Sequence, residues 1–350
     1  MTHFDKEKRI GKSYSYKFGQ NSTDKNKVRF NLWGNNVSIY GNANFSIYSA
    51  QKCNADCTFC VEELRPASRG VQLSNQKEIL KSDSKYFEAL YESLVAVDPV
   101  KPTISITGGE PSKDPRLPGI LSIASKFDTP RATITTNASG LLDKTGNKNV
   151  LDTIIEAKFG HINISRAHYL DDWNNRLMRY SEGPSIKNLK YIVAKSKEAG
   201  VRVRLSCVLI NGAIDTLGKI LKYLEFAELI GVDNVIFRQL MMIDQKKFAR
   251  NYVVSFTEAK RTMLDPILYQ ADKNNEMHFQ SQIVGYYYYV EIWRYKNIDV
   301  IFEEADLAQL ERTKKTTHNL IHELVFHPNG KLCSTWQPWD GVLGPNPTNR

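Results

Sequence analysis

Three cysteines fall within eight residues of this 350-residue chain, in the segment Cys53-Asn-Ala-Asp-Cys57-Thr-Phe-Cys60. Thiolates hold iron–sulfur clusters and zinc, and a complete [4Fe–4S] site uses four of them. Three thiolates on one short loop leave one iron without a protein ligand, open to a substrate or cofactor, as in catalytic metal sites. A zinc site would need a fourth ligand from elsewhere, with His161, His168 or Cys333 as the candidates. Buried unreactive thiols are the remaining alternative, and clustering on a polar loop argues against it. The chain has five cysteines; Cys207 and Cys333 stand alone in apolar segments. An odd count with no secretion signal speaks for metal ligation over a disulfide framework.

A second segment, Thr107-Gly108-Gly109-Glu110-Pro111, ends an apolar strand-like run. Glycines let a backbone approach a cofactor closely, and a carboxylate is an acceptor for a cationic amino group. A tight strand-to-helix turn would use the same residues.

The two segments together resemble the radical S-adenosylmethionine (radical SAM) superfamily. Cys53, Cys57 and Cys60 fit its CxxxCxxC signature, with aromatic Phe59 before the third cysteine, and Gly108, Gly109 and Glu110 resemble its GGEP motif. The resemblance implies a [4Fe–4S] cluster whose unique iron is chelated by the amino and carboxylate groups of S-adenosylmethionine. It further implies reductive cleavage to a 5′-deoxyadenosyl radical that abstracts hydrogen from a substrate. Gly108, Gly109 and Glu110 would position the cofactor's amino group; Asn137, Ser165, Arg166 and Arg204 would serve its carboxylate and ribose; Phe237, Arg238 and Gln239 would edge its adenine. The likeness runs from about residue 43 to 241 and is to the branch holding the molybdenum-cofactor cyclase, viperin and peptide-modifying maturases. Three features of that branch are missing: the second cysteine group that would hold the auxiliary clusters of many peptide maturases, the C-terminal cysteine set of the molybdenum-cofactor cyclase, and the viperin-like sequence after Cys60. The implied partners are a peptide or small natural-product substrate and a reductant such as flavodoxin or ferredoxin. A nucleotide substrate is the second reading, and a non-catalytic iron–sulfur or zinc protein is the reading from another class.

The elements that must position these residues follow from periodicity. RFNLWG, NVSIYG and ANFSIYSAQ read as strands separated by Gly-Asn turns, the third running into the cysteine loop. Helical stripes over 76–96, 117–127, 150–158, 185–200 and 215–231 alternate with strands 103–107, 132–136, 161–165, 201–210 and 234–241. Right-handed βα repetition winds such units into a barrel. The expectation is an α/β protein: a partial (β/α)6 TIM-like barrel with a C-terminal α+β cap. Its boundaries are a basic arm at 1–30, a core at 31–245 and a cap or substrate region at 246–350. The cap should hold a helix at 257–273, a Tyr-rich strand pair at 277–302, a charged helix at 303–316 and a strand-turn-strand at 322–336.

The net charge is +9, of which +5 falls in residues 1–30. The near balance elsewhere argues against a nucleic-acid partner. No run approaches the ~20 apolar residues of a membrane span, and the polar N-terminus lacks a signal-peptide core, so the expected location is cytoplasmic. Outside the two motifs, Cys333 is a candidate hydrogen-atom donor or, with His327, a ligand to an extra metal. Arg65, Arg69, His168, Arg176 and Arg179 are candidates for an anionic substrate, Tyr286–Tyr289 for stacking or radical transfer, and His318 and His322 near Glu323 for a metal. Packing or solvated surface explains each of these equally well.

Overall fold

The computed structural model describes residues 26–49, 53–61, 79–180, 183–243, 251–317 and 319–345. β1 (Lys27–Leu32) and β2 (Asn35–Tyr40) form an antiparallel hairpin, and β3 (Asn44–Tyr48) departs from it to open a large sheet. After the cysteine loop come α1 (Asp83–Val97), β4 (Thr103–Thr107), α2 (Leu117–Ala124), β5 (Ala132–Thr136), a short hairpin of β6 (Lys144–Thr145) and β7 (Lys148–Asn149), and α3 (Val150–Glu156). The rhythm continues with β8 (His161–Ser165), α4 (Asp171–Met178), α5 (Ile186–Glu198), β9 (Arg202–Leu209), α6 (Leu217–Leu229) and β10 (Asn234–Gln239).

The six strands β3, β4, β5, β8, β9 and β10 lie side by side and parallel, in chain order. This is the expected α/β partial barrel, and its sheet does not close. The later elements are α7 (Tyr252–Lys260), α8 (Leu264–Lys273), β11 (Met277–Val284), β12 (Tyr288–Tyr295), β13 (Ile298–Ala305), α9 (Leu307–Thr316), β14 (Leu320–Ile321), β15 (Leu324–Phe326), β16 (Leu332–Cys333) and β17 (Val342–Gly344). Strands after residue 245 extend the same sheet at both ends: β13 adds in parallel to β10, followed by β12 and β11, while β15 adds in parallel to β3, followed by β16 and β17. β14 pairs with β2.

Several boundaries differ from the sequence reading for identifiable reasons. The first helix starts at Asp83, not 76, because the Ser82 side chain caps it by accepting from the Lys85 amide at 3.3 Å. The helix expected over 257–273 is two helices, since Arg261 and Met263 take extended backbone between them. Glu303–Ala305 complete β13, so the helix expected from 303 begins only after the Asp306 cap. The expected Tyr-rich strand pair is three strands.

Side-chain alternation explains the layers. Phe45, Ile47, Ile104, Ile106, Ile134, Ile162, Ile164, Val203, Leu205, Val235 and Phe237 share one face and bury against the helices. Cys207 belongs to this set and is fully buried, so it packs as a small hydrophobe. The opposite, concave face carries Ser46, Ser105, Thr133, Asn163, Ser165, Arg204, Ser206, Arg238 and Glu303. A parallel sheet covered on both sides reads as continuous apolar runs; the polar alternate positions here mark a wall that faces a cavity or water.

Candidate active site

The C-terminal ends of β3, β4 and β5 converge on the cysteine loop, whose described part is residues 53–61. The loop is held from two sides. Asn137, just past β5, donates from Nδ2 to Asn54 Oδ1 at 2.9 Å and lies 3.9 Å from Cys53 Sγ. On the other side the Met178 carbonyl, at the end of α4, accepts from the Asp56 amide at 3.1 Å and from the Cys57 thiol at 3.6 Å. Ala55, Ala167, Met178 and Tyr180 form a small apolar cluster against which Cys53, Cys57 and Phe59 pack. Phe59 also reaches Ile210, Ala213 and Leu240 beyond the ends of β9 and β10. That apolar seat keeps the loop at the sheet's C-terminal rim, where barrel enzymes place their chemistry.

The Gly-Gly turn after β4 is fixed by Glu110. Its carboxylate is buried and accepts at Oε1 from the Ser112 amide (3.0 Å), the Ser112 hydroxyl (2.5 Å) and the Thr136 hydroxyl, and at Oε2 from the Asn137 amide (2.6 Å). Burial raises its pKa, and the four donated bonds oppose that rise. Gly108 and Gly109 have φ of 81° and 54°, the left-handed region that glycine enters without strain. A Cβ at Gly108 would stand 2.5 Å from the Tyr48 ring. Tyr48 is itself buried, stacked with His327 and edge-on to Trp336.

Other expected residues divide into those on the concave wall and those turned from it. Ser165 and Arg238 are on the wall; Arg238 pairs with Glu303 at 2.9 Å and donates to Ser206 Oγ at 3.0 Å. Arg204 is lower on the wall, donating from Nε to Asn234 Oδ1. Arg166 follows Ile162 and Ile164 in parity and turns to the helix side, where it is buried, paired with Asp171 at 2.5 Å and 4.8 Å from the Phe226 ring centre. Cys333 is fully buried, opposite Val325 in the β15–β16 pair. His168 stacks on Tyr169 and Trp173, and burial, with Arg166 and Lys219 nearby, lowers it to about 4. His322 contacts Thr317 and Tyr286. Arg176 lies over Trp173, and Arg179 is 3.5 Å from Asp56. Arg65, Arg69 and His318 lie outside the described residues. Sequence reasoning missed Asn54, Ser112 and the Met178 carbonyl; only Ser112, two residues past Glu110, had a turn signal.

The donor set fits a thiolate-bound cluster. Burial, and next the charge of Cys53, push the Cys57 thiol up to about 12. A neighbouring thiolate disfavours a second one in an apolar seat unless cations neutralise both, which iron does by displacing the protons. Among the described residues, no three His, Cys, Asp or Glu side chains are gathered so as to hold a single metal ion.

An open α/β barrel with soft ligands on a loop at its C-terminal rim defines a class of cluster-dependent barrel proteins. The radical SAM superfamily model matches residues 47–227, more than half of the chain, and the chain belongs to that superfamily of enzymes, whose cofactors are a [4Fe–4S] cluster and S-adenosylmethionine. No curated protein sequence matches the chain. Among solved structures it is similar to Streptococcus suis SuiB, with 15% identity and a TM-score of 0.53 over 85% of this chain and 61% of that one. SuiB bound to S-adenosylmethionine gives a TM-score of 0.51 at 15% identity, and SuiB bound to the precursor peptide SuiA gives 0.50 at 14%. Both cover 85% of this chain, and 61% and 60% of SuiB respectively, so the chain spans about three fifths of the relative's length. The likeness shows the fold. No helix among the described residues is long and apolar enough to cross a membrane.

Proposed function

We propose that this protein cleaves S-adenosylmethionine reductively and uses the product to activate a C–H bond of a peptide or small natural-product precursor. The observation that carries the reading is the convergence at one rim of the Cys53–Cys60 loop, Asn137 and the Gly108–Gly109 turn anchored by Glu110. When bound, the reduced cluster supplies the electron that splits the cofactor into methionine and a 5′-deoxyadenosyl radical, the species that takes hydrogen from the substrate.

The chain's own residues do the positioning. Cys53, Cys57 and Cys60 hold the metal; the Gly108–Gly109 backbone offers acceptors to the cofactor's amino group, and Glu110 holds that turn still. Ser165 is the wall residue that reaches the carboxylate or ribose, Phe59 presents an apolar surface at the rim, and Arg238 borders it from β10. Arg166 positions the 166–171 loop from behind. The Ala55, Ala167, Met178 and Tyr180 cluster keeps water from the thiolates. The peptide assignment draws support from the peptide-bound SuiB likeness, and a flavodoxin or ferredoxin is the proposed reductant.

The test is anaerobic reconstitution with iron and sulfide, reduction, and incubation with S-adenosylmethionine. Release of 5′-deoxyadenosine is expected, and Cys57→Ala should abolish both the cluster absorbance and the release. An intact reduced cluster that releases none refutes the proposal.

A further inference from the structure

Not all of the charge on the concave wall is balanced. At the N-terminal ends of β8 and β9 the register sets His161 opposite Arg202 and Asn163 opposite Arg204. Arg131 immediately precedes β5, whose Thr133 faces His161. These groups lie close enough to act on one another: burial, and then Arg131, Arg204 and Arg202, disfavour a proton on His161. Burial, and then Arg238, Arg131 and Arg202, bring Arg204 down to about 10.

The carboxylates in the neighbourhood are already engaged. Asp299 is shared by Arg202 and Arg294, Asp233 by Lys197 and Arg202, and Glu303 pairs with Arg238. Arg204 has only the neutral Asn234 side chain as partner, and neither Arg131 nor the His161 ring makes a side-chain hydrogen bond or ion pair among the described residues. Arg131 is exposed, whereas Arg204 is partly buried beside like charges that Glu303 offsets in part; a guanidinium partly removed from water in that setting is costly. On a wall open to water or substrate, a bound anion offsets that cost, and Arg presents two parallel donors to a planar or tetrahedral oxyanion.

We propose that Arg204, Arg131 and His161 form a subsite on the concave wall that binds an anionic group of the substrate, a carboxylate or a phosphate. It rests on the reading that substrate occupies the concave side. It also sets the substrate's orientation: the anionic end lies toward the N-terminal ends of the strands, and the reacting carbon toward the cysteine loop.

The test is calorimetric titration of the reconstituted, cofactor-loaded protein at low ionic strength, with inorganic phosphate in one arm and succinate in the other. One saturable site is expected, weakened at least about tenfold by Arg204→Gln and by Arg131→Gln, and less by Arg204→Lys, which keeps the charge but not the fork. Tighter binding of phosphate or of succinate identifies the group; either supports the proposal. Heats that do not saturate, or affinities indifferent to both neutral substitutions, overturn it. So does a loss of S-adenosylmethionine affinity in Arg204→Gln with anion binding intact, which would assign this arginine to the cofactor. Release of 5′-deoxyadenosine by the same preparations reports separately on the radical chemistry, so either conclusion can fail alone.

Discussion

Replacing Gly108 with alanine isolates how the cofactor turn is built. With φ at 81°, an L side chain there carries backbone strain of about 1–3 kcal/mol. The new Cβ would come within 2.5–2.6 Å of Cε2, Cδ2 and Cζ of Tyr48. That ring cannot retreat easily, being fully buried between His327 and Trp336, so overpacking adds about 1–3 kcal/mol. The expected loss is about 2–6 kcal/mol, read as a shifted denaturation midpoint at constant slope in the metal-free protein. A cycle with Tyr48→Leu separates the two parts: the clash should be relieved in the double variant, giving about 1–3 kcal/mol of coupling, while the strain should persist. Weaker S-adenosylmethionine binding should accompany Gly108→Ala. A loss under about 0.5 kcal/mol, or no coupling to Tyr48, would refute the packing argument.

Three further outcomes are expected. Glu110→Gln turns an amide donor toward one of four donors, so one buried bond is lost at a cost of about 1–3 kcal/mol, measurable by urea denaturation; an unchanged midpoint would contradict the network. Asn137→Ala removes the link to Asn54, and should slow cluster reconstitution, followed by its visible absorbance, while leaving β5 in place by circular dichroism. His168 is neutral in the fold with its pKa lowered to about 4. The unfolded chain therefore takes up a proton that the fold rejects, and stability falls as pH drops from about 6.5 toward 4, by at most about 3 kcal/mol. His168→Gln should flatten that slope in pH-dependent denaturation, and a slope identical to the parent's would count against the burial of this ring.

Much of this was legible in the residues themselves. The cysteine spacing names its chemistry without any tertiary information, and the parallel core follows from TISIT, ATITT and HINIS, each separated from the next by a helical stripe. The same strings carry the concave wall in their alternate polar positions, whereas Arg166, expected at the cofactor, lies on the helix side because it continues the parity of Ile162 and Ile164. What could not be read depends on pairs distant in sequence. The Asn137 amide reaches Glu110 from 27 residues away, and nothing local announces that the buried carboxylate serves the turn's own backbone. The placement of β13 on β10 and of β15 on β3 is likewise set by which edges remain open once six strands have formed, a property of the assembled sheet.

Those two pairings bear on how the chain comes to be folded. The barrel strands are synthesised first, yet among the described residues the outer rims of β3 and β10 are covered by strands from residues 298–305 and 324–326. Until then each rim is a row of unmet amide and carbonyl groups, a template for strands of other molecules. A fragment ending at residue 245 should accordingly self-associate, and the 350-residue chain should depend on residues 246–350 for solubility as much as for any contact with substrate.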